Sequence, residues 1–232
     1  MSDILDTFFN AAIAAQVLPF LADGLFITLQ LSLLTIPLGL AGGLALALLH
    51  SQSGSRACRI AVNVYVDFFR SFPQLVLLIF VSFATPFLGI DLPPILSLAI
   101  SFTLSTSAYY CEIIRAGIQS VPGGQTEAAR STGMSTVQAL IHVVLPQALR
   151  NVTPDLIGNS VEIVKATSIA SVLGMSELLY NAQSAQSVLF NPTPLTLAAL
   201  MYLALLWPVV RLISTLEGLS LIHISEPTRR RG

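Results

Sequence analysis

The chain is short of charge and almost devoid of lysine. Of its 232 residues, 10% are charged and 54% are hydrophobic, and Lys165 is its single lysine. A soluble domain has roughly a quarter of its residues charged. This composition, with a mean hydropathy of +0.78, is therefore typical of an integral membrane protein. The net charge of −1 gives no bulk attraction to nucleic acid, and we expect no nucleic-acid partner.

Patterns that bind metals or nucleotides are also missing. The two cysteines, Cys58 and Cys111, lie far apart and are expected to be reduced thiols in apolar packing. The three histidines are equally scattered, so we expect no metal site. No G-x-x-x-x-G-K-[ST] segment occurs, which excludes ATP binding through a P-loop.

Five stretches are apolar enough to be transmembrane helices, which need about 20 residues each. They cover residues 24–49, 60–83, 94–114, 154–173 and 195–213. The predicted fold is therefore an all-α integral membrane protein, with one transmembrane domain over residues 1–217. Gly39 and Gly43 form a G-x-x-x-G in the first stretch, which indicates either close approach of another helix or ordinary glycine use.

The arginines predict which loops face the cytoplasm. Basic residues are absent from 1–55, 71–114 and 171–210. Outside the spans they cluster before the second span, after the third and after the fifth. Cytoplasmic loops are enriched in Lys and Arg, and five spans place all three clusters on one side. We therefore expect the amino terminus outside, with residues 116–150 and the carboxyl terminus in the cytoplasm.

The cytoplasmic segment has the pattern of two helices joined by a sharp turn. Residues 125–132 are good helix formers, and Gly133 suits the left-handed position that ends a helix. Ser135 and Gln138 match a capping box that begins a second helix, which Pro146 should end or kink. From this pattern alone, the segment either lies against its own bundle or docks a cytoplasmic partner.

The same segment resembles the EAA signature of the permease subunits of bacterial ABC importers. The matching residues, at the family's spacing, are Glu127, Ala128, Ala129, Gly133, Val143, Leu145 and Pro146. Flanking segments, among them 108–118 and 165–168, are similar to the branch that takes up polar amino acids, such as the histidine, glutamine and arginine permeases. This chain departs from the family at Val143 and from the branch at Ser71, Phe72 and Ala166.

The resemblance implies a type I ABC importer permease fold, with a cytoplasmic helix–turn–helix coupling loop, in the bacterial inner membrane. The signature residues would couple to a cytoplasmic ABC ATPase, which would bind the ATP and Mg²⁺. A solute-binding protein outside would deliver the cargo, and a second permease, identical or a sister chain, would complete the pathway. The chain itself is then expected to bind no cofactor and not to be an enzyme.

Polar amino acids are the cargo that the resemblance implies. An importer permease for another small solute is the alternative within the same class. A channel or membrane scaffold that is not driven by ATP is the alternative from a different class.

Charged residues at or near membrane depth are candidates for function, because they cost several kcal/mol unless paired or wet. Candidates for the translocation path are Arg70, Glu162 and Lys165, with the hydroxyls of Thr167 and Ser168. The alternative for these charges is a buried brace that fixes helix packing. Glu112 and Arg115 are three residues apart and can pair on one helix face. They form either an interfacial pair or part of a gate.

The end of the chain differs in style from everything before it. Residues 219–229 read LSLIHISEPTR, which resembles the translated read-through of a common sequencing adapter. We expect residues 218–232 to be a disordered tail or a sequence artefact, and we assign them no function.

Overall fold

The computed structural model describes residues 7–224, with the side chains of residues 7–215. This part of the chain consists of helices joined by short turns, so the all-α prediction is confirmed. The helices are α1 (Ala11–Gln52), α2 (Arg56–Ser71), α3 (Gln74–Ala84), α4 (Pro94–Ser120), α5 (Gly123–Ser131), α6 (Thr136–Ala139), α7 (Leu145–Asn151), α8 (Thr153–Ala166), α9 (Leu178–Leu189) and α10 (Thr193–Ile224). Short 3₁₀ segments follow α3 (Thr85–Leu88) and α8 (Thr167–Leu173), and a π-helical segment, Leu140–Val144, lies between α6 and α7.

Among the described residues, three helices are long and apolar enough to cross a membrane, or up to four if the broken pair α2 and α3 is one span. The three are α1, α8 with its 3₁₀ extension, and α10. The sequence predicts about five. α4, which covers the predicted span 94–114, is a continuous helix of 27 residues. Its many serines and threonines make it less apolar than the other three helices.

The second predicted span, residues 60–83, is not a single helix. α2 ends at Ser71 and α3 begins at Gln74. Phe72 is extended, with φ −87° and ψ 127°, because a following proline disfavours helical backbone. Pro73 has no N–H group to continue the helical hydrogen bonds. The prediction of a continuous helix was therefore wrong at the one position where proline interrupts the apolar run.

Two other elements differ from the predicted spans. α1 has 42 residues and begins at Ala11, so it is about 63 Å long at 1.5 Å per residue and starts well before the predicted residue 24. α10 continues to Ile224, beyond the predicted end at residue 213. Residues 225–232, which carry most of the predicted tail, lie outside the described residues.

The chain packs into two compact units. Of the described residues, the first unit comprises 7–37, 73–102 and 161–208, and the second comprises 38–72, 103–160 and 209–224. In the first unit, α9 packs against α1 and α10. Its buried core consists of Val17, Leu21, Leu178, Ala182, Ala185 and Ala198. Gly24 allows this approach, because a Cβ atom there would lie 2.9 Å from the Cα atom of Leu178.

The second unit packs the end of α1 against α2 and α4. Its buried core consists of Ala47, Val62, Val66, Cys111 and Ile114. A Cβ atom on Gly43 would lie 2.5 Å from the Cβ atom of Tyr110 and 2.8 Å from the backbone nitrogen of Cys111. The G-x-x-x-G pattern therefore marks a close helix approach here and not ordinary glycine use.

Candidate functional site

Residues 123–151 form the predicted helix, turn and helix. α5 ends at Ser131, and Gly133 has φ 92°, a left-handed conformation that glycine adopts without strain. Both arms of the capping box are present. The backbone N–H of Gln138 donates to Ser135 Oγ over 3.3 Å, and the backbone N–H of Ser135 donates to Gln138 Oε1 over 2.8 Å. We call residues 123–151 the insert.

The proline of the insert does not end its second helix. The chain widens into the π-helical segment before α7, and Pro146 lies in the first turn of α7. A proline costs little at that position, because the first turn has backbone N–H groups without helical partners. The sequence predicts an end or a kink here, and the π-helical segment is the form that the irregularity takes.

The signature residues divide into an outer and an inner group. Glu127, Ala128, Gly133 and Pro146 are exposed, whereas Ala129 is buried and Val143 and Leu145 are half-buried. The insert belongs to the second unit, and its inner residue Leu145 packs against the core of that unit. Only the outer residues are available to another protein.

Three further apolar side chains are exposed on the insert. Met134, Val137 and Ile141 have exposed fractions of 37%, 48% and 44%. Val137 and Ile141 are four residues apart on one side of the helix, and Met134 lies just before the N-cap residue Ser135. We call these three residues the outer patch. The sequence shows that this segment contains apolar residues at helical spacing. It does not distinguish the exposed residues of the outer patch from Leu140 and Val144, which are buried.

The insert is attached firmly to the end of α4. Asn151 Nδ2 donates to Ser120 Oγ over 2.9 Å. Gly117 allows close contact, because a Cβ atom there would lie 2.8 Å from Val152 Cγ1 and 2.9 Å from the carbonyl oxygen of Ala148. The insert and the end of α4 are therefore in direct contact.

Arg70, Glu112 and Arg115 form one cluster in the second unit. Arg115 Nη2 and Nε donate to Glu112 Oε2 over 2.6 Å and 3.1 Å, and Arg70 Nη1 lies 4.0 Å from Glu112 Oε1. The Arg70 guanidinium also lies 5.7 Å from the ring centroid of Tyr109, within cation–π range. The structure thus brings a path candidate together with both gate candidates. The three charged side chains are between 28% and 41% exposed.

The other path candidates lie in the first unit. Lys165 Nζ donates to Glu162 Oε1, and the two side chains are 49% and 69% exposed, so they do not form a buried brace within this chain. Thr167 is fully buried, and its hydroxyl donates to the carbonyl oxygen of Val164 over 2.7 Å. Ser168 Oγ likewise donates to the carbonyl oxygen of Lys165.

Sequence reasoning missed a buried carboxylate, Glu177, in the first unit. It caps α9, where its oxygens accept the backbone N–H groups of Leu179 and Tyr180 over 2.8 Å and 2.7 Å. Tyr202 of α10 donates to the same carboxylate over 3.2 Å. Burial raises the pKa of Glu177, and these hydrogen bonds oppose that shift. The sequence signal is a lone glutamate just before a helical run, which does not by itself indicate burial.

Comparisons with known proteins point to one family. Residues 39–217 match the family described as "Binding-protein-dependent transport system inner membrane component". The probable glutamine ABC transporter permease protein GlnP of Bacillus subtilis (strain 168) is 37% identical over 201 residues, which cover 84% of this chain and 91% of the relative. The L-cystine transport system permease protein TcyB of the same organism is 38% identical over 165 residues, covering 71% of this chain and 70% of the relative.

Solved structures have the same fold. The crystal structure of an amino acid ABC transporter with histidines aligns with a TM-score of 0.80 at 32% identity, over 88% of this chain and 95% of that one. An inward-facing structure of the MetNI methionine ABC transporter aligns with a TM-score of 0.71 at 18% identity, over 87% and 98%, and shows the fold alone. This chain, with a membrane-embedded helical body and a polar helix–turn–helix insert, therefore belongs to the family of inner membrane components of binding-protein-dependent transport systems.

Proposed function

We propose that the chain is the permease subunit of an ATP-driven ABC importer for polar amino acids. The observation that carries this proposal is the insert: it exposes Glu127 and Ala128 beside the apolar outer patch, while its inner face is attached to α4. An exposed apolar patch beside a charge is the form of a docking surface for another protein. The names of the relatives, which refer to glutamine, cystine and amino acids, support the cargo class.

The partner at the insert is a cytoplasmic ABC ATPase that binds ATP and Mg²⁺. Closure of the ATPase on ATP displaces the insert, and α4 moves with it as a rigid body between inward-open and outward-open states. A second permease, either another copy or a sister chain, completes the pathway, and a solute-binding protein delivers cargo outside. The amino terminus and the loop that contains α9 then lie outside, and the insert and the carboxyl terminus lie in the cytoplasm.

The charged clusters have different roles in this proposal. Arg70, Glu162 and Lys165, with Thr167 and Ser168, belong to the translocation path, where both signs of charge suit zwitterionic amino acids. Glu112 and Arg115 belong to a gate, because their pair lies about two to three helical turns before the insert and is shared with Arg70. A loss of the Glu112 pairing leaves two arginines of like charge close together, which favours their separation.

Uptake driven by ATP tests the proposal. We expect Glu127→Ala and Gly133→Val to lose at least about tenfold in the initial rate of amino-acid uptake into proteoliposomes, since about 1.4 kcal/mol of lost coupling corresponds to a factor of ten. Membrane insertion should be unchanged, and co-purification of the ATPase should weaken. The matched control is Asp91→Ala, which removes an exposed acid far from the insert in sequence. Normal uptake by both insert variants contradicts coupling through the insert.

A further inference from the structure

The outward face of α9 combines polar residues with two very exposed apolar side chains. Gln183 and Ser187 are exposed and Gln186 is partly exposed, whereas Val188 and Phe190 have exposed fractions of 75% and 92%. We call these five residues the α9 surface. Within the described part of the chain, the Gln183 and Gln186 amides have no hydrogen-bond partner. Uncompensated amides are costly in hydrocarbon, so this face lies in water and not in lipid.

Phe190 is held in its exposed position by the backbone. It is the one non-glycine residue with positive φ among the described residues, at 49°, and it ends α9. Asn or Gly would adopt this conformation with less strain. A phenylalanine that is both strained and almost fully exposed in a water-facing loop does not stabilise the fold. Its position is preorganised for a partner.

The concave surface beside Phe190 offers room for a protein partner. A groove of about 320 Å³ is lined by Gln16, Val17, Phe20, Ser184, Ala185, Val188 and Leu189. A second hollow, of about 400 Å³, is lined by Gln186, Ser187, Phe190, Asn191 and Pro192. An aromatic anchor bordered by neutral hydrogen-bonding groups is the composition of a protein–protein hot spot. Membrane-interface anchors use Trp, Tyr, Lys or Arg instead, and the α9 surface contains none of them.

We propose that the α9 surface is the docking site of the extracytoplasmic solute-binding protein on this chain, with Phe190 as its anchor. The inference rests on the proposed function, which places α9 outside, and the family description itself names a binding protein as the required partner. Residues 171–210 contain no Lys or Arg, and the α9 surface carries no charge. Docking at this position therefore depends on apolar contact and amide hydrogen bonds, not on ion pairs.

The experiment measures how the binding protein stimulates ATP hydrolysis by the reconstituted permease–ATPase complex in nanodiscs. The probe is a solute-binding protein for polar amino acids from the same organism, loaded from a mixture of polar amino acids. We expect Phe190→Ala and Phe190→Gly to raise its half-saturating concentration about tenfold or more, with unstimulated hydrolysis unchanged. Phe190→Trp should keep a near-normal value. The matched control is Phe26→Ala, which removes an exposed phenylalanine from the middle of α1.

Two further measurements separate docking from misfolding and from charge effects. Phe190→Gly relieves the positive φ, so its thermal midpoint should equal or exceed that of the unsubstituted protein. The half-saturating concentration of the binding protein is measured for Phe190→Gly and for the unsubstituted protein at about 50 and about 300 mM salt. Because no ion pair is involved, the ratio of the two concentrations should change less than about twofold.

Results other than these contradict either the docking proposal or the proposed function. If the binding protein stimulates the unsubstituted complex and the Phe190 variants equally, the α9 surface is not its docking site. If the variants only dissociate the permease pair, the surface contacts a second copy and the proposal is wrong. If the variants only change lipid-dependent stability, the surface contacts the bilayer and the proposal is again wrong. If the binding protein fails to stimulate the unsubstituted complex, the proposed function itself is wrong.

Discussion

Single side chains decide how closely α1 and α4 approach each other in the second unit. Tyr110 is fully buried there and its hydroxyl is 2.7 Å from Ser160 Oγ, while Tyr65 and Ser107 share a 2.8 Å hydrogen bond. Small residues let helices approach until such bonds form, and the bonds then satisfy polar groups that lipid cannot. The glycines of α1 are packing residues as well, because a Cβ atom on Gly39 would overlap Thr106 of α4 and one on Gly43 would overlap Tyr110.

Gly43→Ala should destabilise the protein by about 1–3 kcal/mol, because the added methyl overlaps backbone atoms of α4 that cannot move aside. The matched control is Gly158→Ala in α8, where a Cβ atom meets nothing within 4 Å. That change should stabilise the helix by about 0.5–1 kcal/mol. Thermal unfolding in one detergent compares the two, and a Gly43→Ala protein as stable as the unsubstituted one contradicts the close packing.

Glu177 makes stability depend on pH, with a definite sign. Because burial raises its pKa, the folded state keeps the proton to a higher pH than the unfolded chain does. The stability that protonated Glu177 contributes is therefore fully present below the ordinary glutamate pKa. This stability is lost as the pH rises through the raised pKa of Glu177 in the folded protein. The neutral variant Glu177→Gln should show a smaller fall in thermal midpoint over that window. Parallel profiles of midpoint against pH for the two proteins contradict the assignment.

At the scale of elements, contacts between neighbouring residues form the helices of the insert, and contacts between distant residues attach the insert to α4. Its turn and capping box depend on residues a few positions apart. Its attachment depends on Gly117 and on the bond between Ser120 and Asn151, which are 31 positions apart. The local contacts form the two helices, and the distant contacts hold these helices against α4.

Ser135→Ala should loosen the start of the second helix of the insert. It removes the acceptor for the Gln138 N–H group, and the loss of an N-cap costs about 1 kcal/mol. We expect faster hydrogen exchange for residues 136–139, with α5 unchanged. Ser135→Asp, which keeps an acceptor oxygen, should exchange nearly as slowly as the unsubstituted protein. Equal exchange in the alanine variant contradicts a stabilising role for the cap.

At the scale of the whole molecule, function requires opposite sides of the membrane. The insert, with its exposed Glu127, is proposed to meet an ATPase, and the α9 surface is proposed to meet a binding protein. Each surface combines polar residues with exposed apolar side chains. The proposed transport mechanism requires the bilayer to separate these two surfaces.

Labelling with a membrane-impermeant maleimide tests this sidedness. The variants carry one new cysteine, Ser131→Cys in the insert or Gln183→Cys in α9, with Cys58 and Cys111 replaced. We expect Gln183→Cys to react in intact spheroplasts, because the proposed orientation places α9 outside. Ser131→Cys should react only after the membrane is opened. External labelling of the Ser131→Cys variant contradicts both the orientation and the transport proposal.

The sequence by itself determined the class of this protein. Apolar runs, clustered arginines and the capping box at Ser135 are patterns over neighbouring residues, and they predict helices, sidedness and the insert without knowledge of any contact. The EAA spacing from Glu127 to Pro146 is equally local, so it indicates the family directly. The break at Pro73 was also readable in principle, but the long apolar run around it favoured a continuous helix.

Only the tertiary structure decided which of these residues are exposed and which meet. The outer patch has the same apolar character as Leu140 and Val144, and burial alone distinguishes them. Arg70 joins Glu112 across 42 positions, and Glu177 meets Tyr202 across 25. Contacts between distant positions depend on how helices pack, because packing selects one pairing among many that the residue types allow.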